Sequence, residues 1–344
     1  MILVPARYPI TTAYTRRVRR PLSMGLVALL VAALAAACGG ANDASAPPPQ
    51  PEPSARPADF PTAAGKTLGD LKAESGRSLV FAPTTVTALH RGMNRYGFAL
   101  YDVAGKQVTG AQVALYTARA DGTGVRGPYV ARSESLAVSG TFRSHTTAAD
   151  VNAAKAVYVA EVPFHRWGRQ IVAAMAKLDG RLTMASPHTA DVARRPNGPP
   201  DVGDRAIAVH TRTLADVGDD AAQIDTRLPP ATDLLKTDLA DVVGKKPVVI
   251  TFATPALCQS KVCGPVVDIV EQAKAKAPDR IAFIHQEIWK DNKVRRGNEQ
   301  GPVVAWRLPT EPWTFVIAKS GRIAARFEGP FSLGELERAI AKVS

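Results

Sequence analysis

The sequence predicts two consecutive folded regions of different class, an all-β sandwich over residues 65–195 and an α/β domain over residues 196–344. Apolar segments in the first region are short, and turn signals separate them at regular intervals, which is typical of an antiparallel sandwich. In the second region, a β-branched apolar run at 247–253 leads into a segment with apolar residues at helical spacing. A strand that passes directly into a helix indicates an α/β arrangement rather than a second sandwich.

The strands of the first region are predicted from alternation along the chain. Alternation is clear at 98–101 and 113–116, so each of these segments predicts a strand with one buried face. The stretches 97–102 and 110–113 resemble an immunoglobulin-like module of bacterial surface proteins, which implies a spacer or docking role. The four histidines of the region show no ligand spacing, so we predict no metal site there. The strand-like segments are 78–82, 96–103, 112–117, 156–163 and 169–177.

The second region follows a Pro/Gly-rich joint at 194–203. Its last helix is predicted to begin after Ser332, because Glu335 three residues later completes a capping box. The elements predicted here are a strand at 247–253, a helix from 266, a strand at 281–288, a strand at 310–317 with its hairpin partner at 321–327, and the helix at 332–342.

Two cysteines five residues apart, Cys258 and Cys263, lie between the first strand and the first helix of this region. Residues five apart on a regular helix point about 140° away from each other, so Cys258 is expected in the loop before the helix if the two sulfurs are to bond. A helix N-terminus stabilises a thiolate and lowers its pKa. We therefore expect Cys258, as the more exposed thiol nearer that N-terminus, to be the nucleophile and Cys263 to resolve it.

Residues 201–344 resemble the thioredoxin-like superfamily, in particular its extracytoplasmic thiol-disulfide oxidoreductase and peroxiredoxin branches. Pro312 stands where thioredoxins keep a cis-proline that faces the active cysteine, and the hairpin and helix after it match the thioredoxin ending. The resemblance implies a thioredoxin-like α/β fold and thiol-disulfide exchange with extracytoplasmic thiol or disulfide proteins. It places the site at Cys258, Cys263 and Pro312, with no cofactor and no resident metal.

Three alternatives stay open for the cysteine pair. Thioredoxins carry C-x-x-C, whereas C-x-x-x-x-C resembles peroxiredoxin Q, in which the first cysteine attacks peroxide; the peroxidatic threonine is out of register, because Thr254 lies four residues before Cys258. Two thiolates could also bind a cuprous ion, because soft ligands suit it. The last alternative is a structural disulfide, which is common in exported proteins. His285 and Glu287 on one face of the next strand are candidates for proton transfer or for lining the site.

The N-terminus predicts export and lipid attachment. Residues 1–37 carry five arginines and no acidic residue, followed by an apolar stretch that ends in small residues before Cys38. This pattern resembles a bacterial lipobox, which implies cleavage after residue 37 and a diacylglycerol on Cys38. Residues 38–64 are rich in Pro, Ala and Ser and predict an extended tether. We therefore expect a lipid-anchored protein on the extracytoplasmic face of the cell membrane.

Charge argues against nucleic acid as a partner. The formal net charge is +12, and the five arginines of the predicted signal peptide account for five of those charges, which leaves +7 for the mature chain. This charge is spread out, with no basic helix and no interleaved aromatic residues. We expect this positive charge to attract the mature chain to an anionic membrane surface instead.

Overall fold

The computed structural model describes residues 55–76, 79–194 and 198–344, which belong to one compact unit, Gln50–Ser344. The predicted signal peptide, the lipid attachment site Cys38 and most of the tether lie outside the described residues, as do residues 195–197 of the predicted joint. Within the described part of the chain, no helix is long and apolar enough to cross a membrane.

The first region forms a single antiparallel sheet of nine strands. The strand order is β1-β2-β6-β5-β4-β7-β8, with β3 paired to β2 and β9 paired to β7. Two short helices belong to this region, α1 (Leu68–Ala73) and α2 (His145–Ala149). The strands are β1 (Val80–Pro83), β2 (Gly92–Tyr101), β3 (Gln107–Val108), β4 (Gln112–Arg119), β5 (Arg126–Ser135), β6 (Ala156–Phe164), β7 (Gly168–Leu178), β8 (Arg181–Met184) and β9 (His188–Val192).

Both faces of this sheet are buried, which differs from the single buried face expected from the sequence. Along β4, Leu115 packs in one apolar cluster with Phe98, whereas its neighbour Tyr116 packs in another with Phe60 and Leu71. Successive side chains of a strand point to opposite faces, so these clusters lie on opposite sides of the sheet. The N-terminal segment that carries α1 covers the second face.

The second sheet has four strands in the order β11-β10-β12-β13. Strand β10 runs parallel to β11 and antiparallel to β12, and β13 is antiparallel to β12. Along β10, Val248 and Ile250 enter one apolar cluster and Val249 enters another, so this strand is covered on both faces. The elements are α3 (Leu239–Val242), β10 (Val248–Phe252), α4 (Cys263–Lys276), β11 (Ala282–Gln286), α5 (Gly301–Ala305), β12 (Trp313–Ile317), β13 (Ile323–Glu328) and α6 (Leu333–Ile340).

The predicted fold class, an immunoglobulin-like sandwich followed by a thioredoxin-like α/β domain, is wrong. The structure is mostly β, with 32% strand and 21% helix, and consists of a curled antiparallel half-barrel sheet and a second sheet, with no clear α/β thioredoxin fold. Alternating strands with regular turns are compatible with a sandwich and equally with one curled sheet covered on both faces. The local sequence pattern therefore did not distinguish between these two folds. The β-rich character of the chain was predicted correctly.

The two sheets share a core and several buried polar contacts. Leu136 and Val157 of the first region belong to the same apolar cluster as Val266 on α4. The buried carboxylate of Asp268 accepts a hydrogen bond from Ser144 N and lies 2.9 Å from the guanidinium of Arg227. The cysteine loop at the start of α4 is therefore held between elements from both regions.

Candidate functional site

Cys258 and Cys263 form a disulfide between the end of β10 and the start of α4, with their Cα atoms 6.0 Å apart. The loop turns back on itself before the first cysteine, because Leu257 N and Cys258 N both donate to Thr254 O. Lys261 then adopts a positive φ of 61°, which reverses the chain again between the two sulfurs. The prediction that Cys258 lies in a loop within bonding reach of Cys263 is confirmed.

The helix N-terminus lies at the second cysteine and not at the first. Helix α4 begins at Cys263, and its N-cap residue, Val262, provides no side-chain cap. The unpaired N–H groups of the first turn and the helix dipole therefore favour negative charge on the Cys263 sulfur. The sequence argument placed Cys258 nearer to this N-terminus, which is wrong because α4 begins at Cys263 itself, five residues after Cys258.

The two sulfurs differ in access. Cys258 is 5% exposed and Cys263 is 0% exposed. Cys258 lines a cavity of about 420 Å³ together with Thr146, Asp150 and Pro255. Both cysteines belong to one apolar cluster, but the cavity gives access to Cys258, whereas Cys263 has no exposed surface.

A segment from the first region borders this cavity. Asp150, just after α2, forms an ion pair of 3.1 Å with Lys261 Nζ, and Ala154 N donates to Lys261 O at the same distance. These contacts hold residues 146–154 over the cysteine loop. They also occupy the Lys261 ammonium group.

The cysteine loop also borders an open groove of about 500 Å³. Leu257 and Ser260 of the loop form one wall, and Trp289, Thr310 and Glu311 belong to the others. Ser260 Oγ lies 3.1 Å from Cys258 Sγ. The cysteine loop therefore borders two recesses, of which the first is lined by Cys258 itself.

Pro312 follows a cis peptide bond and directly precedes β12, the strand next to β10. The residue before it, Glu311, lies at the disulfide: one of its carboxylate oxygens and both cysteine sulfurs lie within 4.8 Å of one another. Sequence reasoning named Pro312 and missed Glu311. An acidic residue immediately before the expected cis-proline was the signal that could have identified it.

Glu311 occupies a poorly solvated position. Burial, together with the smaller effect of the nearby charge of Glu287, raises the pKa of its carboxyl to about 7. Its Oε2 atom is buried and has no hydrogen-bond partner among the described residues. This carboxyl group is therefore available to a ligand or to a sulfur of the pair.

A buried polar cluster, formed by Asp225, His285 and Glu287, lies behind the site. Burial raises the pKa of Glu287, and its carboxylate accepts hydrogen bonds from Thr226 N and Oγ1. The same Thr226 hydroxyl accepts a bond from Ala256 N in the cysteine loop. Thr226 therefore connects the cluster to the cysteine loop, and this connection fixes the position of the loop.

His285 lies deepest in this cluster. Its Nε2 lies 3.1 Å from Ala253 O, and its Nδ1 lies 3.5 Å from the Asp225 carboxylate. Burial alone would lower the pKa of His285, but the charges of Asp225 and Glu287 outweigh it and the net direction is upward. Neither His285 nor Asp225 has exposed surface in the site, so they support it rather than line it.

No protein-family model matches this chain, and no curated protein matches it in sequence. The resemblance described above therefore depends on the quoted residues alone.

Proposed function

We propose that the protein carries out thiol-disulfide exchange through Cys258 and Cys263. The observation that carries this proposal is the asymmetry of the disulfide: one sulfur borders an open cavity and the other lies buried at a helix N-terminus. Exchange requires a sulfur that can be attacked and a second sulfur that leaves readily as a thiolate. Cys258 meets the first requirement and Cys263 meets the second.

The exchange proceeds in two steps. A partner thiolate attacks Cys258 Sγ, and a bond forms between the partner sulfur and Cys258. The bond between Cys258 and Cys263 breaks, and its electron pair remains on Cys263 Sγ. A second partner thiolate then attacks the partner sulfur of this mixed disulfide and releases Cys258 as a thiolate. The partner loses two electrons and becomes a disulfide, while the pair gains them; the same steps in reverse oxidise the pair.

A purely structural role is less well supported. A bridge that closes a loop of six residues adds about 2 kcal/mol by the chain-entropy estimate, compared with about 4.7 kcal/mol for a loop of 100 residues. The loop is already held by backbone bonds to Thr254 and by the ion pair between Lys261 and Asp150. A short bridge at this position contributes little that these contacts do not supply.

The chemistry is proposed for the extracytoplasmic face of the membrane, with thiol or disulfide proteins as partners and Cys38 as the lipid-bearing anchor. The support is the sequence: the arginines and apolar stretch before Cys38, and the net positive charge of the mature chain. An anchored protein on the predicted tether would meet partners within the reach of that tether.

Trapping tests the proposal. In a Cys38→Ser background, the Cys263→Ser variant is expected to accumulate mixed disulfides when Cys258 attacks a partner disulfide, because Cys263 is no longer present to attack Cys258 and release the partner. Cys258→Ser, the matched control, should trap none. A peroxidase would instead hold a sulfenic acid on Cys258 after peroxide treatment. A structural bridge would resist mild reductants and trap nothing, and either of these results would contradict the proposal.

A further inference from the structure

Three metal-binding groups converge where β10, α4 and β12 meet, and we infer that in the reduced protein they form a zinc site. The inference rests on the opening of the same bond that the proposed function requires. We call Cys258, Cys263 and Glu311 the thiolate-carboxylate site. Their two sulfurs and one carboxylate oxygen lie within 4.8 Å of one another in the disulfide form. Each element therefore delivers its ligand without a change in the backbone path.

The spacing suits a tetrahedral ion. Bonds of about 2.3 Å to sulfur and about 2.1 Å to oxygen place the ligand atoms about 3.6 to 3.8 Å apart. Once the disulfide opens, rotation of the two cysteine side chains separates the sulfurs to this distance. The Cα atoms of Cys258 and Cys263, 6.0 Å apart, can stay where they are.

Glu311 is the ligand that distinguishes this site from a simple dithiol. Its Oε2 atom is buried without a hydrogen-bond partner among the described residues. A buried carboxylate oxygen without a partner is costly, and coordination to a cation removes that cost. The other nearby carboxylate, Glu287, already accepts bonds from Thr226 and from Ile288 N, so it is committed elsewhere.

Reduction concentrates negative charge at this place. In the reduced protein two thiolates would lie beside the Glu311 carboxyl group. The ammonium group of Lys261 is paired with Asp150 at 3.1 Å and does not balance them. Like charges at short range in a poorly solvated site repel strongly, and a divalent cation would offset them.

The groove on the Ser260 side provides an entry path and an open coordination position. It borders Glu311, Thr310 and the cysteine loop, and it has room for water. Three protein ligands and one exchangeable position form the usual arrangement of an open zinc site. Two thiolates with one carboxylate favour Zn²⁺ over a cuprous ion, because a cuprous ion gains little from a hard oxygen ligand.

Zinc would regulate the dithiol. A metal bound to both sulfurs blocks attack by the Cys258 thiolate on a partner disulfide. Oxidation would expel it: a partner disulfide accepts two electrons and breaks into two thiolates, the bond between Cys258 and Cys263 forms, and Zn²⁺ is released. Zinc binding therefore belongs to the reduced state alone.

The test is a zinc titration of the full chain with Cys38→Ser, in which Cys258 and Cys263 are the remaining thiols. The protein is reduced with a thiol-free phosphine, the phosphine is removed, and zinc is titrated in competition with a chromophoric chelator. The reduced protein is expected to bind one Zn²⁺ and the oxidised protein none, a comparison that needs no substitution at the site. Glu311→Gln should weaken binding about tenfold or more, and Cys263→Ser should abolish it. Cobalt(II) in place of zinc should show thiolate-to-metal absorption only in the reduced form.

Glu299→Gln is the matched control, because Glu299 borders the same groove but is absent from the cluster of ligand atoms; its affinity should equal that of the unaltered protein. Failure of the reduced protein to bind zinc, or equal affinity in Glu311→Gln, would overturn the inference. Exchange activity is measured on the same samples in metal-free buffer. Exchange without zinc binding refutes only this inference, and zinc binding without exchange refutes only the proposed function.

Discussion

The guanidinium of Arg95 on β2 donates two hydrogen bonds to the carboxylate of Glu335 on α6, at 2.9 and 2.8 Å. It also donates to Pro330 O at 3.0 Å, and Glu335 in turn accepts a bond from Ser332 N at the start of its helix. Both side chains are largely buried, with 18% and 7% exposure. This pair joins the nine-stranded sheet to the last helix of the chain and helps to fix the two sheets around the cysteine loop.

Removing one partner of this pair should destabilise the whole protein. Arg95→Met leaves the buried Glu335 carboxylate without its cation, and loss of one partner of a buried pair costs about 3 kcal/mol. The measurement is the free energy of unfolding from urea denaturation. Arg169→Met is the control, because Arg169 and Asp191 form an exposed pair, 70% and 73% accessible, and its loss should cost about 0.5 kcal/mol or less. Equal losses for the two variants would contradict the assigned role of Arg95.

The same pair predicts a pH dependence of stability. Burial acts to raise the pKa of Glu335, but the hydrogen bonds and charge of Arg95 outweigh it, so the pKa lies below its usual value of 4.5. A depressed carboxyl pKa contributes stability that is present above the unfolded value and is lost as the pH falls through the folded value. As the pH is lowered below about 4.5, the urea concentration at the midpoint of denaturation should therefore decrease, and this decrease should be smaller in Arg95→Met. An identical acid profile for both proteins would refute this.

Access to Cys258 should increase when its neighbouring segment is loosened. Asp150→Asn removes the ion pair with Lys261 while an amide oxygen can still accept the bond from Asn152 N. A half-exposed pair contributes about 1 kcal/mol or less, so reduction of the disulfide by a small thiol should accelerate by up to about fivefold. Asp121→Asn, in a turn of the first sheet, should leave the rate unchanged. An unchanged rate in Asp150→Asn would show that this segment does not limit access.

Local features of the site could be predicted from the sequence. The loop before α4, the bonding reach of Cys258 and Cys263, and the cis-proline at 312 are decided by residues close together in the chain. The contact of Glu311 with the sulfurs depends on β12 lying beside β10, which is a long-range pairing. No spacing along the chain marks such a contact, so the carboxylate was missed.

The structure of the sheets could likewise be predicted only in part from the sequence. Alternation along β4 indicated which side chains point in the same direction, but it did not indicate what covers each side. Leu115 and Tyr116 are both fully buried because separate segments of the chain cover the two faces. A strand with two buried faces and a strand of a sandwich have similar local patterns, and this is why the predicted fold class was wrong.

The proposed lipid anchoring depends on one residue outside the described part of the chain. The small residues before Cys38 predict lipid attachment there, so the mature protein should partition with membranes. Cys38→Ser is expected to block both lipid labelling and processing, as measured by incorporation of labelled fatty acid and by mobility of the precursor. Unchanged labelling in Cys38→Ser would exclude a lipobox at this position.

The most direct test of the proposed function is to identify which sulfur a small thiol attacks. The oxidised protein, with Cys38→Ser, is treated briefly with a monothiol, quenched with acid and digested, and the peptides are identified by mass spectrometry. Because Cys258 borders the cavity and Cys263 is enclosed at the helix N-terminus, the thiol adduct is expected on Cys258, with Cys263 released as the free thiol. An adduct mainly on Cys263, or a disulfide that stays closed until the protein unfolds, would contradict the account.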